Sequence, residues 1–212
     1  MTTPTALAIL SGIFWTITYL LIIRRSIQDQ SVGMPLVALC MNISWEFIFS
    51  FVFPSHKPQL YVNYVWSFLD LVIVIQYLKF NKFEFSKHFP PNFFHPNFFS
   101  TLAVSFFNML FITYDFGRDR GAIYTAFQIN LIMSMLFIYM LLSRGNFRGQ
   151  SMYIAIAKTI GTAYASLSLY LSGSSSMLLI YLYLSIFLFD LAYSVLLHIK
   201  IKEQRINPWK RA

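Results

Sequence analysis

The sequence predicts an all-α integral membrane protein: a bundle of seven transmembrane helices, with the N-terminus outside and the C-terminus cytoplasmic. Three observations lead there. Hydrophobic residues make up 57% of the 212 and charged residues 11%, where a soluble domain carries about 25% charged residues. Apolar runs recur seven times, each near the ~20 residues a helix needs to cross ~30 Å of hydrocarbon. The runs are almost continuously apolar, which excludes the alternating pattern of a barrel, and in lipid each backbone group must bond within its own segment. A single domain over residues 1–212 follows, with no second domain or internal repeat.

The spans are read in chain order. The first, about 5–23, is followed by Arg24-Arg25 and has no small-residue cleavage site, so it is a retained helix rather than a signal peptide. The second, 34–53, carries Cys40, the sole cysteine, which rules out an internal disulfide and argues against a cysteine metal site. The third covers 60–80. After it, "NKFEFSKHFPPNFFHPNFFS" (81–100) holds the near-duplicates "PPNFF" and "HPNFF", a mixture suited to the membrane interface. His88 and His95 belong to that interface, since a metal site needs further donors nearby. The remaining spans lie at 98–116, 120–142, 151–171 and 176–199.

Charge sets the orientation. Of the sixteen Lys and Arg, twelve fall on one side: Arg24, Arg25, Lys79, Lys82, Lys87, Arg144, Arg148, Lys200, Lys202, Arg205, Lys210 and Arg211. Lys57, Arg118 and Arg120 fall on the other, and Lys158 lies within the sixth span, its stem placed to snorkel back to the interface. The positive-inside rule therefore puts the C-terminus in the cytoplasm. The net charge of +8 calls for no nucleic acid; it marks orientation and attraction to anionic lipid heads of the bilayer.

Polar residues within the spans are the informative ones. An ionisable side chain at the bilayer centre costs about 2.5–3.5 kcal/mol even on the lenient insertion scale, so its presence points to function. Glu46 lies near the middle of the second span, Asp70 mid-way along the third, and Asp190 slightly past the middle of the seventh. Three acids at one depth predict convergence on one interior cavity. Their neighbours are polar and aromatic. Asn42 and Glu46 are four apart and share a helix face with Trp45 beside it, and Trp66 and Asp70 repeat the spacing. Tyr183, Phe187, Asp190 and Ser194 form a stripe with Tyr193 close by; on the fifth span Tyr124 and Gln128 are again four apart, with Asn130 near. Most of the 23 Phe, 13 Tyr and 4 Trp must simply pack or face lipid, and each acid has the alternative reading of a helix-to-helix hydrogen bond.

A carboxyl group in an apolar, aromatic chamber can stay protonated and act as a general acid, since desolvation disfavours its charged form. Were the substrate a polyprenyl chain, protonation of a terminal epoxide or alkene would create a carbocation trapped by later double bonds. A dry pocket would protect that cation, and Tyr and Trp faces would each stabilise it by roughly 0.5–2 kcal/mol.

Over essentially the whole chain, "NISWEFIFSFVFP", "VWSFLDLVIV", "SRGNFRGQS" and "FLFDLAYSVLLHIK" resemble, in order and spacing, the small seven-span integral-membrane terpene cyclases of fungal meroterpenoid and indole-diterpene pathways and their bacterial relatives. The "N-x-x-W-E" element is the most specific. The resemblance implies that Glu46 and Asp190 are the catalytic pair of a proton-initiated cyclisation. It places Asn42, Trp45, Trp66 and Asp70 at motif positions of the same segments, and Tyr124, Gln128, Tyr183 and Tyr193 join them as candidate substrate-binding residues. It implies a hydrophobic isoprenoid or prenylated small-molecule substrate, no cofactor, and association with a prenyltransferase or epoxidase of the same pathway. The Asp-rich magnesium motif and the "DxDD" of soluble cyclases are missing from the sequence, so no metal is expected. The central "TYDFGRDRGAIYTAFQINL" departs from the family pattern, which bears on substrate size and product.

Other classes also use intramembrane acids: a small proton-coupled transporter, a seven-span sensor or a silent lipid-binding partner. Against transport, the spans lack paired Gly/Pro breaks and the two halves are unlike. Against a retinal-type sensor, no lysine sits within the seventh span for a Schiff base.

Overall fold

Apolar runs bounded by caps and helix breakers become long helices. The computed structural model describes residues 2–211. Helix α1 (Thr3–Asp29) opens on Thr2, whose side chain accepts from the Thr5 amide, with Pro4 in the first turn. Then follow α2 (Leu36–Phe47), α3 (Gln59–Phe80), the short α4 (Lys82–Ser86), α5 (Phe94–Phe116), α6 (Arg118–Arg144), α7 (Met152–Leu171) and α8 (Met177–Glu203). Ser151 and Ser176 cap α7 and α8 through their side-chain oxygens, and α6 stops at Gly145, which is left-handed at φ 62°. Among the described residues there is no strand.

Among the described residues, six helical segments are long and apolar enough to cross a bilayer. The second apolar run falls short of the expected 34–53: 12 residues of α2 continue into a five-residue π-helical stretch, Ile48–Val52. Pro35 sets its start, and Phe53 leaves the helical region (φ −123°, ψ 69°) ahead of Pro54, which disfavours helix in the residue before it. That leaves ~25 Å of helix. The fourth span begins earlier than expected, at Phe94 of the Phe- and Pro-rich connection.

The helices form a ring in the order α1, α3, α2, α6, α8, α7, with α5 outside it. Helix α1 packs chiefly on α7 and also on α3; α2 packs on α3 and α6; α8 lies against α6 and α7, and α5 against α2 and α6. The α1–α7 seam is tight because of Gly161, where a Cβ would come within 3.0 Å of the Trp15 ring. The basic end of the bundle is tied shut. Arg25 and Arg211 both bind the Asp29 carboxylate, the Gly149 amide donates to the same group, and Arg148 donates to the Asp29 carbonyl. The α1–α2 and α6–α7 connections touch backbone to backbone: a Cβ on Gly33 would sit 1.8 Å from the Gly149 carbonyl oxygen.

Candidate active site: an aromatic cavity with a carboxyl floor

Inside the ring lies a cavity of about 1140 Å³ walled by α1, α2, α3, α6, α7 and the α2–α3 connection. It runs from the end of the bundle that holds the α1 N-terminus, at Thr2, Pro4 and His56, down to Tyr19, Asn42 and Glu46 mid-way along the helices. Residues of α5 and α8 take no part in its wall.

The floor is a hydrogen-bonded cluster from three helices. Tyr19 of α1 donates its hydroxyl to Glu46 Oε1 at 2.6 Å. The Asn42 amide, one turn before Glu46, donates to the Tyr19 oxygen at 2.5 Å, to Asp70 Oδ2 at 2.7 Å and more distantly to Glu46 Oε1 at 3.3 Å. Every donor is thus directed at one oxygen of each acid. Glu46 Oε2 and Asp70 Oδ1 are buried with no partner. Among the described residues no Lys, Arg or His forms an ion pair with either carboxyl group. An unpartnered buried oxygen is costly for an ionised carboxylate and suits one that holds a proton there.

Aromatic rings surround this floor. Trp15, Trp45 and Trp66 line the cavity, and Trp15 and Trp66 each pack about 6 Å from the Tyr19 ring, at 6.1 and 6.0 Å. The indole N–H groups are used elsewhere: Trp45 donates to the Ala122 carbonyl and Trp66 to the Thr16 hydroxyl, both at 3.1 Å. These bonds fix the rings of Trp45 and Trp66 in the cavity wall.

The expected convergence of three acids is corrected by the ring's geometry. Asp190 belongs to α8, which packs between α6 and α7 and contributes no residue to the wall, and it does not line the main cavity. It is 2% exposed and pairs with Lys158 at 2.7 Å. Lys158 does not snorkel as expected. Its ammonium, on a side chain 1% exposed, also donates to Asn130 Oδ1 at 2.9 Å and Ser134 Oγ at 2.7 Å, and lies 5.9 Å from the Trp15 ring. Asn130 and Trp15 in turn line the cavity, so this second cluster backs its wall. A smaller groove of about 260 Å³ between α7 and α8 includes Asp190, Thr162 and Tyr183.

Of the other sequence candidates, Asn42, Trp45 and Trp66 line the cavity, and Asp70 sits buried behind Asn42. Tyr124 and Gln128 do not line it; the Tyr124 hydroxyl meets Ser176 at 2.9 Å. Tyr183 backs the wall, edge-on to Phe127, and bonds the Ser174 carbonyl. Tyr193 is spent on Gln150, toward the basic end. Sequence reasoning missed Tyr19 and Trp15. The spacing Ser11, Trp15, Tyr19 marks one face of the first span and was the available signal.

A family model described as Pyr4-like transmembrane terpene cyclases matches residues 1–204. The Pyr4-family terpene cyclase mfmH of Annulohypoxylon moriforme is 35% identical over 167 residues, covering 76% of this chain and 67% of that protein. Terpene cyclase pyr4 of Aspergillus fumigatus is 29% identical over 160 residues, covering 71% and 64%. Terpene cyclase adrI of Penicillium rubens is 27% identical over 212 residues, covering 95% and 85%. The first two alignments thus span about two thirds of the relatives' length, and no solved structure matches the chain.

Proposed function

The chain belongs to the Pyr4-like transmembrane terpene cyclases, and from that premise we propose that it cyclises a linear prenyl chain by protonation, with Glu46 as the general acid. The observation that carries this reading is Glu46 Oε2: a buried, unpartnered carboxyl oxygen on a residue that lines an aromatic cavity. Because Tyr19 and Asn42 both donate to Oε1, the acidic proton resides on Oε2. It passes to the terminal alkene carbon, or to the oxygen of a terminal epoxide, and leaves a tertiary carbocation. Successive double bonds attack, each forming a carbon–carbon bond and moving the charge along the chain. The last cation gives up a proton to a neighbouring base and the Glu46 carboxylate takes one up again, so the reaction is a net isomerisation and the acid is restored.

The cluster stabilises both ends of the transfer. When Oε2 gives up its proton, the hydrogen bonds from Tyr19 and Asn42 become charge-assisted and hold the carboxylate. The faces of Trp15, Trp45 and Trp66 stabilise the cation, by roughly 0.5–2 kcal/mol each. Asp70 holds Asn42 in place through the 2.7 Å bond. Asp190 acts at a distance: with Lys158 it fixes Asn130 and supports Trp15, as a positioning residue.

In this reading the bundle crosses the membrane seven times, with the short α2 as one crossing, and the basic end faces the cytoplasm by the positive-inside rule. Prenyl transfer, and epoxidation where the chain carries an epoxide, are the reactions that must supply the substrate; association with enzymes of those classes is the corresponding partnership. The test uses membranes containing the protein, supplied with farnesyl- or geranylgeranyl-bearing compounds with and without a terminal epoxide, and no added magnesium. The parent is expected to yield cyclised product and Glu46→Gln about a hundredth of it or less. Product from Glu46→Gln at the parental rate would sink the assignment.

A further inference from the structure

The six-helix ring is not sealed evenly. Helices α1 and α3 are joined by two hydrogen bonds, from the Trp66 indole to the Thr16 hydroxyl and from the Gln76 amide to the Ile23 carbonyl, both at 3.1 Å. From Thr16 toward the α1 N-terminus, no hydrogen bond joins the two helices among the described residues. At that level α1 stands clear of its neighbours: a Cβ on Gly12 would meet nothing within 4 Å. Each helix borders the gap with a pair four residues apart, Ile9 and Ile13 on α1 and Tyr61 and Val65 on α3. All four line the cavity, yet they are 45%, 49%, 56% and 51% exposed. The gap passes into the outer surface of the bundle, where Leu20 and Phe68 stand exposed on the same two helices. Both helices are long and apolar enough to cross a bilayer, so this slot faces hydrocarbon.

We propose that the slot between α1 and α3 is a lipid site, in which one acyl chain of a bilayer phospholipid lies between Ile13 and Val65 with its end inside the cavity. Water is a poor occupant. The four bordering side chains carry no charge and a single hydroxyl, at Tyr61, so water in the slot lacks the two to four polar partners it needs. Left unfilled, the same side chains forfeit dispersion contacts that hydrocarbon would supply. The slot is continuous with the lipid-facing surface, and lipid chains surround it. The site rests on the bundle's place in the membrane and not on the reaction proposed above. Its consequence is that the resting cavity is filled from the side, and any guest must displace that chain.

The test places the protein in nanodiscs containing a phosphatidylcholine with a diazirine midway along one acyl chain. Irradiation fixes the chain to whatever it touches, and mass spectrometry of the peptides reads where. Ile123 and Ala126 of α6 line the cavity across the ring from the slot, so adducts there report a chain inside. Val104 and Phe107 of α5, exposed on the outer surface, give the internal standard. The parent should label both sets. Ile13→Phe with Val65→Phe fills the slot and should cut the cavity adducts about fivefold or more relative to the standard, the scale of an overpacked site. Ile13→Ala with Val65→Ala widens it and should raise them. Thr5→Phe narrows the end-on mouth of the cavity, where Thr5 lines the wall, and should leave them as in the parent. Adducts confined to the outer surface of the parent overturn the site. So does cavity labelling that ignores both slot pairs, or that falls with Thr5→Phe alone, which would mean filling from the end.

Discussion

Two buried acid clusters lie at similar depth in this bundle and are built on opposite principles. Glu46 and Asp70 are held by neutral donors, Tyr19 and Asn42, and each keeps one oxygen unpartnered. Asp190 also has one oxygen, Oδ2, without a partner, but its Oδ1 is matched to a lysine, which is itself saturated by Asn130 and Ser134. The first arrangement leaves room for a proton to reside and depart. The second is an ion pair whose charges answer each other, and its natural effect is to lock α6, α7 and α8 together. Burial alone therefore does not mark a reactive acid; what surrounds the carboxyl group decides.

The comparison can be broken at several points. Glu46→Gln keeps shape and hydrogen-bonding capacity but removes the transferable proton, so product measured by chromatography and mass spectrometry should fall by about 10²–10⁴-fold, with thermal unfolding little changed. Asp190→Ala should do the reverse. It strands the Lys158 ammonium in the interior and should destabilise the protein by about 3–5 kcal/mol, seen as a lowered melting temperature in detergent. Adding Lys158→Met to that variant should recover much of the loss, and no recovery would refute the ion-pair account. A subtler probe is Tyr19→Phe, which removes one hydrogen bond to the carboxylate formed during turnover. With such a bond valued at about 1.5–3 kcal/mol, turnover should drop by roughly tenfold or more while the fold persists. The smallest effect is expected from Trp66→Phe: the aromatic face stays, the bond to Thr16 goes, and stability should fall by about 1 kcal/mol with product still formed.

Much of the fold was legible because lipid imposes a simple rule on apolar runs. Six long helical segments lie where those runs lie, and even the shortness of α2 follows from Pro35 and Pro54 at its borders. The i, i+4 relation put Asn42 with Glu46 and Trp66 with Asp70, and all four do meet in or just behind the cavity. What the sequence withheld depends on how helices turn and stack. Lys158 and Asp190 stand 32 residues apart on different helices, and only the packing of α8 against α7 brings them together. Tyr19 escaped notice because a tyrosine in an apolar run carries no charge to mark it. Tyr124 and Gln128 had the right spacing on the wrong face.

The clasp around Asp29, with Gly33 pressed on Gly149, closes the basic end, and the cavity's walls reach no further than mid-bundle. With the basic end clasped, traffic between cavity and surroundings falls to the opposite half of the bundle, and on the proposed reaction a stiff, bulky ring would leave through the same half that admitted its flexible precursor.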